Sequence, residues 1–269
     1  MTHDPAPAAW HPHPEHELVP YHPSALHGLR SILVLAPHPD DEVFGCGGLL
    51  ALAVDQGVQV HVVIVSDGAA GGDAELRQRE CRAAAQALGY ARAPDALRRT
   101  SDALRFWALP DRGVRPDGAL VERIRGLAAE VAADWLLAPS PFEVHPDHLA
   151  VCQAATTAAA TLADSPTRLV YYEVGQPLVP NLLVDISSVT PRKQAAMRCF
   201  ASQLAQQDYG EHIAALNRYR SYTLGSGVTH AEGYRLVAPG ASLQDALGEV
   251  AESLGRRVGG PPASPAAGA

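Results

Sequence analysis

From Ser31 onward, apolar runs of strand length alternate with stretches of helical periodicity, the pattern of successive parallel βαβ units. The apolar runs predict strands near 31–36, 59–65, 103–108, 134–138, 168–174 and 181–185, and Tyr234-Arg235-Leu236-Val237 supplies a last one near 231–237. Helical spacing predicts helices near 44–56, 74–88, 118–132, 147–162, 191–206 and 211–222. A further stretch, 241–256, carries Leu243, Ala246, Val250 and Leu254 at helical intervals. The predicted architecture is α/β: a single Rossmann-like domain whose mostly parallel sheet is flanked by helices on both faces. Right-handed crossovers then bring the loops that follow the strands to one edge of the sheet, facing a common crevice.

The pattern also marks the ends of this unit. Residues 1–30 hold six of the twelve histidines, densest in His11-Pro12-His13-Pro14-Glu15-His16, and their prolines break any regular element. This segment reads as a His/Pro-rich amino-terminal arm, with Tyr21 to Leu26 able to pack on the domain. Residues 31–257 form the domain proper, and 258–269, dominated by Gly, Pro, Ala and Ser, read as a flexible tail.

Composition narrows the function. With 47% hydrophobic and 19% charged residues in 269, the chain is globular. A formal net charge of −8 and the lack of clustered Lys and Arg argue against a nucleic-acid partner, because phosphate binding needs a positive field. Cys46, Cys81, Cys152 and Cys199 are far apart, so neither a thiol zinc site nor a disulfide framework is expected. No run approaches about 18 apolar residues and no signal-like start is present, which predicts a cytoplasmic protein without a transmembrane segment.

Two strings carry the chemistry. Pro37-His38-Pro39-Asp40-Asp41-Glu42 follows the first apolar run, and His145-Pro146-Asp147-His148 follows the run that ends near 138. A catalytic zinc takes three nitrogen or oxygen ligands and keeps a fourth position for water. A hydrolytic site also needs a free carboxylate to take the water proton. Of the adjacent Asp40 and Asp41, one can ligate while the other serves as base. His148 can complete the ligand set, and His145 remains as an oxyanion donor or proton shuttle. Asp147 can cap the following helix or orient His145.

The paired motifs resemble those of the zinc-dependent N-acetylglucosamine deacetylases of the PIG-L/LmbE type, and the resemblance covers most of residues 31–237. Arg77-Gln78-Arg79-Glu80, Leu109-Pro110-Asp111, Lys193 with Ser202-Gln203, and Ala231-Glu232-Gly233-Tyr234-Arg235 also match family landmarks in order. The resemblance implies His38, Asp41 and His148 as metal ligands, Asp40 as general base and His145 as the oxyanion-stabilising group. It implies Arg77 and Asp111 on sugar hydroxyls. The implied cofactor is Zn²⁺, with Fe²⁺ or another divalent metal able to use the same ligands. Two positions depart from the family: Glu143 stands where one branch, acting on a thiol precursor, has tyrosine, and Phe200 replaces a histidine usual just before the Ser-Gln pair.

The expected function is therefore removal of acetate from an N-acetylated amino sugar, an N-acetylglucosaminyl unit of a glycoconjugate or biosynthetic intermediate, small-molecule, lipid-linked or nucleotide-linked. Two alternatives use the same residues. A non-catalytic metal-containing sugar-binding module needs His38, Asp41 and His148 but no free Asp40. A metal-dependent phosphoester hydrolase would use more bridging carboxylates than the motifs supply. Ordinary readings compete at single positions as well. Arg77 can form a surface ion pair with Glu80 or Asp73, Asp111 can be a turn former, and Tyr171-Tyr172 can be core. His61, His212 and His230 read as ordinary sheet, helix and strand-start residues outside the metal site. Gly45-Cys46-Gly47-Gly48 fails the dinucleotide fingerprint at Leu50, so close helix packing explains the glycines better.

Overall fold

A computed structural model of the protein describes residues 15–91, 103–162 and 165–257. In chain order the elements are α1 (Glu15–Leu18), β1 (Ser31–Ala36), α2 (Asp41–Asp55), β2 (Gln59–Ser66), α3 (Ala74–Leu88), β3 (Leu104–Leu109), α4 (Gly118–Glu130), β4 (Trp135–Pro139) and α5 (Pro146–Ala160). They continue with β5 (Arg168–Tyr172), β6 (Leu182–Asp185), α6 (Thr190–Met197), α7 (Ala201–Leu204), α8 (Tyr209–Arg220), β7 (Ala231–Leu236) and α9 (Leu243–Arg257). The dense part of the His-rich arm and the tail from 258 onward lie outside the described residues.

The strands form one seven-stranded sheet in the order β3-β2-β1-β4-β5-β7-β6. β1 to β5 run parallel to one another, and β7 pairs antiparallel with both β5 and β6. Side-chain alternation along β1 sorts residues between two cores. Ile32 and Val34 pack with α2, α3 and α6 residues on one face, whereas Leu33 and Leu35 pack with α4, α5 and α9 residues on the other. The α/β expectation therefore holds, with helices on both faces.

The strand order places the chemistry. From β1 the chain winds to β2 and β3 on one side and resumes with β4 on the other, so the order switches between β1 and β4, where open α/β sheets bind ligands. The two sequence motifs begin at the carboxyl ends of these neighbouring strands, whose register sets Ile32 opposite Trp135 and Val34 opposite Leu137.

Helix α2 packs close to the sheet because its glycines permit it. A Cβ at Gly45 would lie 2.4 Å from the Tyr172 ring, and one at Gly48 would lie 2.4 Å from Ile186. Behind α2, Lys193 Nζ donates to Glu232 Oε1 at 2.6 Å, to Phe44 O at 2.9 Å and to Asn217 Oδ1 at 2.9 Å. The Glu232 carboxylate also accepts the backbone N–H groups of Gly48 and Leu49, both at 2.7 Å. This buried pair fixes the helix whose first turn enters the site. Tyr171 and Tyr172 are core residues as expected, and their hydroxyls meet Thr156 Oγ1 at 2.6 Å and Leu35 O at 2.8 Å.

One expected element differs. The single helix read over 191–206 is α6 followed by the short α7, with a break at Arg198–Phe200. Phe200 leaves helical geometry, with φ −86° and ψ 54°, and its fully buried ring packs edge-on against Phe44 at 5.8 Å. The strand expected to reach 174 ends at Tyr172, and Val174 and Gly175 instead turn into the cleft wall.

Candidate active site

The loop leaving β1 turns sharply, and the turn is tied from several sides. Ser66 N donates to Pro37 O at 2.9 Å. Asp40 occupies φ 130°, a conformation rare for a residue with a Cβ and costing on the order of 1–3 kcal/mol unless the surroundings enforce it. The surroundings do. Arg77 Nη2 donates to Pro39 O at 2.9 Å and to Asp40 Oδ2 at 3.0 Å, while Nη1 donates to Gly68 O at 2.8 Å. Asp40 N donates to Glu42 Oε2 at 3.1 Å. Arg77 is thus a buried clamp on Asp40, not the surface partner of Glu80 or Asp73. Glu80 is occupied by Ser202 N and Oγ, and Asp73 caps α3 by accepting from Leu76 N.

Three donor atoms converge beside this turn. His38 Nδ1 lies 3.2 Å from His148 Nε2 and 3.3 Å from Asp41 Oδ2, and His148 Nε2 lies 3.2 Å from the same Asp41 oxygen. Tetrahedral bonds of about 2.0–2.1 Å imply ligand-to-ligand edges of roughly 3.3 Å, so this triangle has the dimensions of one face of such a site. Wider groupings bring donor atoms of His145, Asp111 and Asp147 within 4.8 Å of one another and of His38. The compact triangle is the better fit because its three edges are nearly equal.

A layer of carboxylates sets the histidine tautomers. His38 Nε2 lies 3.1 Å from Asp147 Oδ2 and 3.3 Å from Asp111 Oδ1, and His148 Nδ1 lies 3.2 Å from Glu143 Oε2. These carboxylates accept from the outward ring nitrogens, so the nitrogen facing the triangle is the one that offers its lone pair to a metal once any second proton on the ring has been displaced. That is the donor chemistry a divalent metal requires. Asp147 therefore supports His38 rather than His145, and it also accepts from Arg112 N at 2.7 Å and Val114 N at 3.2 Å. His145, not Asp147, caps α5: its Nδ1 accepts the Asp147 N–H at 3.2 Å.

Electrostatics divides the neighbouring acids. Burial works against ionisation of Asp41, but His148 and His38 outweigh it and hold its pKa below the ordinary carboxylate value. Burial and the Asp41 charge push Asp40 well above that value, with Arg77 opposing. Burial disfavours the charged form of His148, yet Asp41 and Glu143 overcome it and raise its pKa to about 10. Burial followed by the fields of His38 and His148 lowers the pKa of His145, which keeps that ring neutral with its proton on Nε2.

These groups line an open cleft of about 550 Å³ that contains His38, Asp40, Asp41, Arg77, Asp111, His145 and His148 together. Every site residue expected from sequence except Asp147 lines it, and Asp147 sits directly behind His38. Sequence reasoning missed two features. Glu143 orients His148 and accepts from Val174, Gly175 and Gln176 N–H groups, a role that its place two residues before His145 gave no way to see. His212, read as an ordinary helix residue, lines the outer wall with Tyr209 of α8. Phe200 points its ring into the core, so α7 meets the cleft through Gln203 and not through residue 200.

Fold and site together define a class: an α/β protein whose switch-point cleft carries a histidine and carboxylate donor set that fits a divalent metal. Residues 33–159 match the model of the PIG-L family, described as GlcNAc-PI de-N-acetylase. Among curated proteins, a 4-oxalmesaconate hydratase of Pseudomonas putida is 27% identical over 247 residues, covering 78% of this chain and 90% of its own. A 2'-N-acetylparomamine deacetylase of Streptomyces fradiae is 28% identical, covering 76% and 85%. A diacetylchitobiose deacetylase of Thermococcus kodakarensis is 28% identical, covering 80% and 85%. The crystal structure of a conserved protein from Thermus thermophilus superposes with a TM-score of 0.66 at 27% identity, over 80% of this chain and 98% of that one.

Proposed function

We propose that the protein is a zinc-dependent hydrolase that removes the acetyl group from an N-acetylated amino sugar, with an N-acetylglucosaminyl unit of a glycoconjugate or biosynthetic intermediate as the preferred substrate. The observation that carries this reading is the near-equilateral triangle of His38 Nδ1, Asp41 Oδ2 and His148 Nε2 beside a separate, clamped Asp40. A binding module would need the triangle alone. Zinc held by these three residues would supply Lewis acidity to the amide carbonyl and lower the pKa of water to about 7.

The chain's own residues account for the proton movements. Asp40 takes a proton from the water whose oxygen attacks the acetamide carbon, and its raised pKa makes it a stronger base than an ordinary carboxylate. The neutral His145 donates its Nε2–H to the oxygen that gains charge as the carbonyl becomes tetrahedral, since Nδ1 is committed to the Asp147 N–H. When the carbon–nitrogen bond breaks, the departing nitrogen takes the proton from Asp40, leaving acetate and a free amine. Asp111 and Arg77 lie on the cleft wall where sugar hydroxyls would be held, although Arg77 spends three of its donor contacts on the Pro39-Asp40 turn and Gly68.

A second reading rests on the similarity to a hydratase. The same donors can activate water for addition across a carbon–carbon double bond, with oxygen bound to one carbon and a proton delivered to the next. Acetate release from N-acetylglucosamine and its glycosides, with and without chelator, separates the two. The deacetylase reading expects chelator-sensitive acetate release and no loss of conjugated-alkene absorbance from 4-oxalmesaconate. The opposite pair of results would replace it with hydration.

A further inference from the structure

Four non-glycine residues among those described have positive φ, and two of them, Asp40 and Arg112, line the cleft. The strain at Asp40 serves the base. Arg112, at φ 59°, has a comparable explanation of its own. Such a conformation persists in a side-chain-bearing residue only where its neighbours enforce it, and is a reason to ask what it presents. Here the enforcing group is Asp147, which accepts the N–H of Arg112 at 2.7 Å and of Val114 at 3.2 Å from the same carboxylate that touches His38. The preceding residue, Asp111, puts an oxygen 3.3 Å from His38 Nε2. The turn that carries Arg112 is therefore built into the site.

The side chain itself is uncommitted. Arg112 is exposed, and among the described residues no hydrogen bond or ion pair engages its guanidinium. The other arginine lining the cleft, Arg77, gives its Nη1 and Nη2 to Gly68, Pro39 and Asp40, and its Nε is buried. The cleft carboxylates are also engaged: Asp41 and Glu143 by the histidines, and Asp111 by His38 and the Ala70 N–H. Of the two arginines that line the cleft, Arg112 is the one whose guanidinium is exposed and uncommitted. In a chain of net charge −8, the long-range field does not attract anions, so selectivity for one must come from a local group.

The geometry points to Arg112 as the specificity-determining residue for an anionic group, carboxylate or phosphate, on the part of the substrate outside the acetamido sugar. This inference rests on the deacetylase reading for the sugar half and adds the charge of the other half. A guanidinium fork matches both oxyanions in bidentate fashion, whereas lysine offers only a point charge.

The test compares kcat/KM for acetate release from methyl N-acetylglucosaminide, N-acetylglucosamine 1-phosphate and N-acetylmuramic acid, in the wild type, Arg112→Ala and Arg112→Lys. One charged hydrogen-bond pair predicts that the wild type prefers an anionic substrate over the neutral one by about 10–100-fold. The preference should fall toward unity in Arg112→Ala and be kept in part by Arg112→Lys. The arm that is preferred identifies phosphate or carboxylate. A wild-type ratio near one, or a ratio unchanged in Arg112→Ala, would overturn the inference. If no substrate released acetate, the deacetylase reading would fail, and calorimetric binding of N-acetylglucosamine 1-phosphate to the metal-loaded protein would decide separately. Weaker binding in Arg112→Ala would then support the anion site, and equal binding would assign the affinity to the metal and overturn it.

Discussion

Asp40 and Asp41 are adjacent and chemically identical, yet their surroundings drive their acidities apart. Asp41 faces two imidazoles and stays ionised, whereas Asp40 is buried beside that charge with one arginine to offset it. The sequence showed that two carboxylates were available for two tasks; the division between them depends on His148 and Arg77, which arrive from α5 and α3. Arg77 illustrates what was not legible. Its burial requires the glycines at 68 and 71, where a Cβ would lie 2.8 Å and 2.6 Å from Nη1, and no pattern in the helix itself reveals that space. Arg77→Ala should therefore lower kcat, and not only weaken sugar binding. Removing the cation raises the Asp40 pKa further, so the acidic limb of the pH–rate profile should move to higher pH; an unmoved limb would return Arg77 to sugar binding alone. His148 gives a second prediction at this scale. In the metal-free protein its pKa is raised from 6.5 to about 10, so at pH 8 it holds a proton that metal must displace. Calorimetry in buffers of different ionisation enthalpy should show proton release on zinc binding at pH 8, with affinity rising toward pH 10. The same shift has a defined sign for stability: its contribution to the metal-free protein is full below the unfolded value of 6.5 and is lost as pH rises through about 10.

At the scale of elements, periodicity located every strand and most helices because each buries an apolar face against the sheet. It failed at 191–206, where apolar spacing continues across a break set by tertiary packing of Phe200 on Phe44. It also gave no reason for the late landmarks. Lys193 and Glu232 are a buried pair, each side chain 1% exposed, that anchors α2 through Gly48 and Leu49. Cutting one partner leaves the other charge buried, so Lys193→Met should destabilise the protein by roughly 3–5 kcal/mol in urea unfolding. The double change Lys193→Met with Glu232→Gln should recover part of that loss. Equal destabilisation in single and double variants would mean that the pair contributes through packing alone.

For the whole molecule, the α/β architecture and the meeting of the two motifs at one sheet edge followed from strand alternation and the handedness of crossovers. The reversed β7 did not, because an antiparallel return near the end of a parallel sheet leaves no mark in the apolar pattern of that strand. The arm shows where sequence and structure part in another way. Pro20 O accepts from Thr223 Oγ1 at 2.6 Å, Ser24 N donates to Leu183 O at 2.7 Å, and Leu26 is 3% exposed. The docked portion therefore begins before residue 31. Removing residues 1–14 should leave metal content and acetate release intact, whereas removal through Leu26 should lower the melting temperature; loss of metal in the shorter deletion would give the arm's histidines a role at the site.

In the proposed division of labour, His38, Asp41 and His148 hold the metal while Asp40 moves the proton. The most direct test is acetate release by Asp40→Asn, measured with its zinc content. The substitution keeps the shape of the side chain and removes the base, so zinc should remain at the wild-type stoichiometry while kcat falls by at least ~10²-fold. Wild-type acetate release from Asp40→Asn, or loss of its zinc, would contradict that division.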